Sequence, residues 1–459
     1  MAWRNQPLCQ FLTVMTRELF NMRTLLFCLA TLFCSVAFAQ NDSTKNETNT
    51  EKMEWFADAK LGIFIHWGIY AVDGIDESWS FYNGYIGHED YLKQTQGFTA
   101  ANYKPKEWAK LIKQSGAQYT VITSKHHDGF ALWDTKFGNL NAVQHSPAGK
   151  DLLTPFVKAA RKEKLKLGIY YSLPDWSSDL YTDFTAKEKR YKIEEDPARW
   201  SKFLTYYQGQ LGELKKRYKP DLWWFDGDWE HSAEEWEANK VRGMLLKGQA
   251  NAVINSRLKG HGDYETPEQG VPLTSPESPF WELCMTMNDS WGFQHNDSNY
   301  KSANQIIRIF IDCLRMGGNL LLDIGPKADG SIPEEQVAIM KELGRWTSKH
   351  QEAIYGSRAG ISTDYYYGPS TLSKDRKTLY LFVPHKPNGP IAVRGLKNKI
   401  NRIRVVGNGT KLTHEIHNKP YWSAKPGLLY IDVPESVLDA QVTVIALQLD
   451  GEIAMEDKE

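Results

Sequence analysis

The sequence predicts an α/β fold in which a (β/α)8-like TIM barrel is followed by a C-terminal antiparallel β-sandwich. From Trp55 onward, short apolar runs rich in aromatic and β-branched residues alternate with amphipathic helical segments. Several of these runs end in polar or charged residues, a pattern typical of a site assembled at the rim of a barrel. Beyond Gly360 the helical segments stop, and short alternating runs separated by Gly, Pro and Asn indicate antiparallel strands.

The length of the chain indicates more than one domain. A chain of 459 residues exceeds the roughly 250–300 residues at which single cores stop growing, so we expect two folded domains. We predict an N-terminal extension with a secretory signal peptide at 1–39, a linker at 40–53, the barrel domain at 54–358 and the sandwich domain at 359–459.

The N-terminus has the pattern of a secretory signal. Met22 and Arg23 precede an apolar run, and Ala37-Phe38-Ala39 offers a small-x-small cleavage site before Gln40. The run is too short for a confident membrane span, and a polar segment follows it. We therefore expect an exported protein, periplasmic or extracellular, without stable membrane insertion.

The elements of the barrel follow from periodicity. Short apolar runs predict the strands Gly62–His66, Tyr119–Thr123, Leu167–Ser172, Leu222–Phe225, Ala252–Asn255 and Asn319–Asp323. Apolar residues repeating on one helical face predict the helices Pro105–Ser115, Leu152–Glu163, Trp200–Tyr218, Ser302–Met316 and Glu334–His350. Alternating runs between turn residues predict sandwich strands at Thr378–Val383, Arg402–Val406, Leu428–Val433 and Val442–Leu447.

Composition narrows the class of ligand. A formal net charge of -1 provides no global field that would attract nucleic acid or an anionic membrane, so neither is an expected partner. The 16 Trp residues suit stacking on carbohydrate faces, although an ordinary aromatic core is the alternative explanation. The sequence does not indicate an oligomeric state.

The run from Leu222 to Glu230 is the most informative motif. Its apolar half predicts a buried strand, and it ends in Asp226 and Asp228 beside Trp224 and Trp229. Chemistry in α/β barrels lies at the C-terminal ends of strands, and sugar-cleaving sites combine aromatic walls with carboxylates. We therefore predict Asp226 as a catalytic residue.

Histidines follow two further strands. A lone histidine such as His66 is more often structural, but His126 and His127 are adjacent and cannot both face the core of an extended chain. They could hold a metal ion or donate hydrogen bonds to hydroxyl groups. Because no Cys pair, His-Glu-x-x-His motif or Asp cluster accompanies them, we predict no metal and no other cofactor.

The proton donor that would assist Asp226 is less clear from the residues. Asp263, Glu265 and Glu268 lie in a polar, Gly-rich region, and Glu282 follows an indole that could desolvate it. Taken singly, each is more often a loop carboxylate exposed to water. The choice stays open on these grounds.

Several spaced motifs together resemble the retaining α-L-fucosidases of glycoside hydrolase family 29. The motifs occur in the same order between Trp55 and Gly356, and a signal peptide and C-terminal β-sandwich also fit that family. They are Trp55-Phe56 with Lys60 to Gly68, Lys125 to Phe130 with Leu132-Trp133, Gly168 to Ser172, Trp224 to Gly227, and Gly317 to Pro326 with Asp329-Gly330.

The resemblance implies that the protein releases terminal α-L-fucose from fucosylated glycans by double displacement. It implies that Asp226 is the nucleophile and that Glu268 is the acid/base, with Glu282 as the alternate. The expected substrate-binding residues are His66, Trp67, Glu77, Trp79, His126, His127, Tyr171, Trp224, Arg257 and Trp291.

One segment departs from the family pattern. Where many relatives read Ser-Glu-Trp-Tyr, this chain has Glu77, Ser78 and Trp79, so the carboxylate has moved by one position or Ser78 has replaced it. A related sugar such as an α-L-galactoside is therefore a second possible substrate. The same residues would also fit an inactive carbohydrate-binding protein on this scaffold, or a hydrolase that inverts the anomeric configuration.

Overall fold

A computed structural model describes residues 51–138 and 140–457. The predicted signal peptide and most of the predicted linker lie outside the described residues. The chain divides into two compact units, Met1–Glu54 and Trp55–Glu459, and the described residues of the first unit, 51–54, are helical. The predicted barrel and sandwich both fall in the second unit.

The first part of the second unit contains a parallel sheet. Its strands run in the spatial order β7-β6-β3-β2-β1-β9-β8, with β4 and β5 forming a separate small hairpin. The strands are β1 Leu61–Ile65, β2 Tyr119–Lys125, β3 Lys166–Ser172, β4 Asp183–Thr185, β5 Glu188–Lys189, β6 Leu222–Asp226, β7 Val253–Ile254, β8 Glu282–Thr286 and β9 Asn319–Ile324.

An irregular segment fills the gap between the two edge strands. Residues 264–268 make parallel β-bridges to both edges, Asn255 with Tyr264, Glu265 with Trp281 and Glu268 with Cys284. The backbone N–H of Cys284 donates to the carbonyl of Pro267 at 3.0 Å, while Pro267 has no N–H to donate. This segment takes the eighth position of the barrel, and the predicted (β/α)8-like architecture is confirmed.

Helices accompany the strands, and they include the five predicted from the sequence together with three that were not predicted. They are α1 Trp79–Tyr82, α2 His88–Leu92, α3 Pro105–Gln114, α4 Leu153–Lys162, α5 Pro197–Tyr218, α6 Ala238–Leu246, α7 Ala303–Arg315 and α8 Glu334–Ile354. Local signals explain several starts: proline occupies the first turn of α3 and α5, and Ser302 with Gln305 forms a capping box on α7. No helix within the described ranges combines the length and apolar character that a membrane span requires.

The C-terminal part is an antiparallel sandwich, as predicted. A five-stranded sheet has the order β10-β11-β12-β17-β14, and a three-stranded sheet has the order β13-β16-β15. The strands are β10 Arg358–Ala359, β11 Ser370–Leu372, β12 Thr378–Val383, β13 Ile391–Arg394, β14 Ile400–Val405, β15 His414–His417, β16 Leu428–Ile431 and β17 Thr443–Leu449.

Strand β12 of the five-stranded sheet is buried on both faces. Leu379 and Leu381 of β12 belong to a core formed within the sandwich, whereas their neighbours Tyr380 and Phe382 belong to the core of the barrel. This alternation follows from the period of two in a strand. Trp346 of α8 adds a polar contact, since its indole N–H donates to the carbonyl of Val442 at 2.9 Å.

Candidate active site

A cavity opens at the C-terminal ends of the barrel strands. Its volume is 140 Å³, and both carboxylates and aromatic rings line it. The lining residues are Phe64, His66, Glu77, Trp79, His126, Tyr170, Trp224, Asp226, Trp229, Arg257, Glu268 and Trp291.

Asp226 is the last residue of β6 and faces this cavity. Its Oδ1 accepts a hydrogen bond from Arg257 Nη1 at 2.9 Å, and its Oδ2 accepts one from the hydroxyl of Tyr170 at 3.0 Å. Oδ2 is also 3.5 Å from His127 Nε2, which has no hydrogen-bond partner among the described residues. The carboxylate is thus held on both oxygens while its side chain stays 13% exposed.

The chain turns sharply immediately after Asp226. Gly227 has a φ of 82°, and a Cβ at this position would lie 2.2 Å from Cδ of Pro174. Only glycine adopts this conformation and permits this approach without strain. The turn carries the following residues, Asp228 to Glu230, to the rim of the cavity.

Arg257 joins Asp226 to a second carboxylate. Its Nη2 donates to Glu268 Oε2 at 2.6 Å, its Nε donates to Thr266 Oγ1 at 3.1 Å, and its guanidinium lies 4.7 Å from the ring centroid of Trp224. The side chain of Glu268 is 40% exposed, against 13% for Asp226. One carboxylate is therefore enclosed, and the other has access to water.

Three histidines surround the floor of the cavity, each held through Nδ1. His66 Nδ1 is 2.7 Å from Asp323 Oδ1, His126 Nδ1 is 2.5 Å from Ser78 Oγ, and His127 Nδ1 is 2.6 Å from Ser172 Oγ. Burial lowers the pKa of all three imidazoles well below the usual value, so the rings are neutral near pH 7. Within the described ranges, no three His, Cys, Asp or Glu side chains are grouped so that they could hold a metal ion.

The segment that departs from the family pattern contributes three residues to the site, Glu77 and Trp79 as lining residues and Ser78 behind them. Glu77 lines the cavity and accepts a hydrogen bond from the backbone N–H of Gly292, while burial raises its pKa to about 7. Ser78 does not take the place of the carboxylate but holds His126. Glu77 is therefore the carboxylate of this wall, beside Trp291, whose ring centroid is 5.0 Å from that of His66.

The structure places four of the predicted residues outside the cavity lining. Trp67 packs against Phe98, Tyr103 and Trp108, and its indole N–H donates to the carbonyl of Lys327 at 2.9 Å, so its predicted contact with the sugar is corrected. His127 lies behind Asp226 instead of beside the open space.

Tyr171 points away from the cavity because neighbouring side chains of a strand face opposite sides. Its hydroxyl donates to Gln210 Oε1 at 2.7 Å, and Lys125 Nζ lies 4.6 Å from its ring centroid. Tyr170 occupies the position expected for it. The structure thus brings Tyr170, and not Tyr171, to the cavity.

Glu282 is fully buried behind the wall of the cavity. It accepts hydrogen bonds from Trp224 Nε1 at 3.0 Å and from the hydroxyl of Tyr119, and burial raises its pKa to about 7. This carboxyl group has no place in the cavity lining, so the structure does not support it as the proton donor.

Three residues that line the cavity, Phe64, Tyr170 and Trp229, are not among those predicted from the sequence. Phe64 precedes His66 by two positions and therefore shares its face of β1, which the period of two could have revealed. Trp229 was visible as an indole after Asp226, but its position depends on the turn at Gly227.

A larger cavity of 740 Å³ lies elsewhere, beside Asp175 and Tyr206. The carboxylate of Asp175 is already engaged, since it accepts hydrogen bonds from the Tyr206 hydroxyl at 2.6 Å and the backbone N–H of Ser178 at 3.0 Å. Lys125 Nζ lies 3.6 Å from it as well. The smaller cavity is the better candidate because it lies at the C-terminal ends of the barrel strands and combines three carboxylates with aromatic rings.

The sequence of this chain is similar to those of known alpha-L-fucosidases. The family model described as Alpha-L-fucosidase matches residues 31–352. An alpha-L-fucosidase of Branchiostoma floridae is 31% identical over 333 residues, which are 66% of this chain and 72% of that protein.

The solved structures that resemble this chain include alpha-L-fucosidases. Alpha-L-fucosidase isoenzyme 1 from Paenibacillus thiaminolyticus has a TM-score of 0.79 at 31% identity, covering 88% of this chain and 100% of that one. An alpha-L-fucosidase of glycoside hydrolase family 29 from Bacteroides thetaiotaomicron has a TM-score of 0.77 at 27% identity, covering 87% of this chain and 96% of that one. It was solved as a trapped covalent intermediate with 2-fluoro-fucosyl fluoride, in a Glu-to-Gln mutant.

Proposed function

The chain belongs to the alpha-L-fucosidase family, and from this premise we propose that it releases terminal α-L-fucose from fucosylated glycans by a retaining double displacement with Asp226 as nucleophile. The observation that carries the residue assignment is the single guanidinium of Arg257, which donates to Asp226 and to Glu268. It holds the two carboxylates close together. Retaining glycosidases need carboxyl groups about 5–5.5 Å apart, whereas inverting ones need about 6.5–9.5 Å.

In the first step, Asp226 attacks the anomeric carbon and Glu268 gives a proton to the departing oxygen. Glu268 then removes a proton from water, whose oxygen attacks the anomeric carbon, breaks its bond to Asp226 and releases fucose. The exposure of Glu268 suits this second role, because water must reach it. Glu282 serves instead as a buried support for Trp224.

The remaining residues recognise the sugar. Neutral imidazoles of His66 and His126, together with Glu77, offer hydrogen bonds to ring hydroxyls without adding positive charge. Trp224 and Trp291 offer apolar faces to the carbon side of the ring and its methyl group. Hydroxyls that these groups bind become specificity determinants, because an analogue lacking them would leave buried polar groups unpaired.

We also propose a cellular location for the enzyme and the boundaries of its two domains. A cleaved signal peptide at 22–39 would direct the enzyme out of the cytoplasm, to a periplasmic or extracellular location. The catalytic barrel would comprise residues 54–358 and the sandwich 359–459.

The test uses purified chain lacking residues 1–39 and an aryl α-L-fucoside, with proton NMR of the first-formed anomer. We expect release of fucose with the α configuration first, and an Asp226→Gly variant slowed on the order of 10⁴-fold or more. Asp221→Asn is the matched control, because Asp221 immediately precedes the same strand and pairs with Arg161 and Lys166, and we expect it to retain activity.

Each competing function predicts a different result. No turnover of any fucoside, with binding retained, would identify a carbohydrate-binding protein. Release of the β anomer first would identify an inverting hydrolase. Preference for an aryl α-L-galactoside would identify the related sugar as substrate.

A further inference from the structure

We infer that Trp229 forms the platform of a leaving-group subsite, which binds the sugar attached to the fucose that is cleaved off. This inference rests on the proposed function and specifies its substrate class. The occupant is a pyranose that presents a face of C–H groups to the indole, so the preferred substrate is a fucosylated oligosaccharide.

The cavity around Asp226 is small. Pockets that enclose drug-sized ligands have volumes of about 300–1,000 Å³. The cavity around Asp226 has only 140 Å³, which suits a single sugar ring. The rest of an oligosaccharide must therefore lie outside, against the rim.

Trp229 is the exposed aromatic residue of that rim. Its side chain is 48% exposed, whereas Phe64 and Tyr170 in the same cavity wall are fully buried. The Trp229 ring is nearly parallel to that of Trp79, with an interplanar angle of 17° and centroids 6.2 Å apart. An exposed indole of this kind has an apolar face free for a ligand.

The backbone on either side of Trp229 is fixed. Asp228 Oδ2 accepts a hydrogen bond from the backbone N–H of Lys259 at 2.8 Å. Glu230 accepts hydrogen bonds from the indole of Trp176 at 3.0 Å and from the hydroxyl of Tyr181. Because this loop is already held in place, it loses little conformational freedom when a sugar binds. Less of the binding free energy is therefore spent on ordering it.

The leaving group lies on the open side of the cavity, as Trp229 does. The proton donor must contact the departing oxygen, and Glu268, at 40% exposure, lies toward the open side of the cavity. Trp229 follows the nucleophile by three residues and lines this cavity with Glu268. A sugar linked through that oxygen therefore meets Trp229.

The experiment compares wild type, Trp229→Ala and Trp229→Phe on α-L-fucosyl fluoride and on a fucosylated trisaccharide. The fluoride has no sugar in the leaving-group position, so any loss of kcat/KM that a variant shows on it should be smaller than the loss on the trisaccharide, and the ratio of the two losses is the measured quantity. For the trisaccharide, Trp229→Ala should lower kcat/KM about 5- to 30-fold, mainly through KM, and Trp229→Phe should recover most of the loss. Tyr367→Ala, which removes an aromatic side chain that is 72% exposed in the C-terminal domain, is the control.

Unchanged trisaccharide kinetics in Trp229→Ala would overturn the inference, and so would equal losses on the fluoride and the trisaccharide. Trp229→Gln repeats the test with a polar side chain, so that one poorly folded variant does not decide it. Wild-type protein inactive on both substrates would overturn the proposed function and the subsite with it. Activity on the fluoride with a selective loss on the trisaccharide supports both.

Discussion

Replacing Arg257 is the sharpest test of how the two carboxylates are held. In Arg257→Gln the donors to Asp226 and Glu268 lose their charge and their forked geometry. The fold should persist, because the side chain lies at the cavity and not in a core cluster.

The expected loss of kcat/KM follows from how far each of the two carboxylates is exposed to water. A hydrogen bond to a charged group contributes about 1.5–3 kcal/mol, and the contact to Asp226, which is 13% exposed, should retain most of this. The contact to Glu268, which is 40% exposed, is screened by water and is expected to contribute about 0–1 kcal/mol. The sum of about 1.5–4 kcal/mol corresponds to a loss of about 10- to 10³-fold in kcat/KM.

The assay is kcat/KM on an aryl α-L-fucoside, with thermal unfolding to verify the fold. Arg242→Gln is the matched control, because Arg242 forms an ion pair with Asp263 at 2.6 Å and does not line the cavity. We expect this control to change stability but not kcat/KM. A loss of less than threefold in a folded Arg257→Gln variant would refute the proposal that Arg257 holds both carboxylates in place.

Changes at three further residues test the rest of the site. Glu268→Gln should slow a natural fucoside by about 10²–10⁴-fold but spare a substrate with a good leaving group, and equal losses on both would argue against Glu268 as the acid. Tyr170→Phe should lower kcat/KM about 10-fold or more by removing the donor to Asp226, and unchanged kinetics would contradict this contact. Burial raises the pKa of Glu282 from 4.5 to about 7, so the folded state keeps a proton that the unfolded state releases between these pH values. This group should therefore lower stability by up to about 3 kcal/mol as pH rises through the window, and in denaturant titrations the decline of Glu282→Gln should be smaller than that of the wild type by this amount. An identical decline in the variant would contradict it.

The strands that carry the site could be predicted because their apolar runs end in polar residues. Asp226 and His66 were found this way, and the structure gives both strands within one residue of their predicted bounds. The five longer helices α3, α4, α5, α7 and α8 were equally clear, since each shows one apolar face, whereas the shorter α1, α2 and α6 were not predicted. Arg257 and Glu268 needed the family resemblance, because they lie in a segment of irregular backbone.

The sequence does not show which side chains of β3 point to the cavity. Tyr170 and Tyr171 are both buried, since a parallel strand packs on both faces and shows no alternation of polar and apolar residues. The choice between them depends on register with β2 and β6, which is a long-range property.

Strand β8 was missed for a related reason. It begins with Glu282, a residue that rarely enters a core, and its partners Tyr119 and Trp224 are distant in the chain. The same long-range contacts bury Glu282 and leave Glu268 at the cavity, a difference that the sequence does not show.

The most direct test of the central claim is covalent labelling with 2-fluoro-α-L-fucosyl fluoride, followed by proteolysis and mass spectrometry. We predict one fluorofucosyl group per chain, attached to Asp226 on the peptide that spans β6, and no label in Asp226→Asn. A label on another carboxylate, or inactivation without a covalent adduct, would contradict the account.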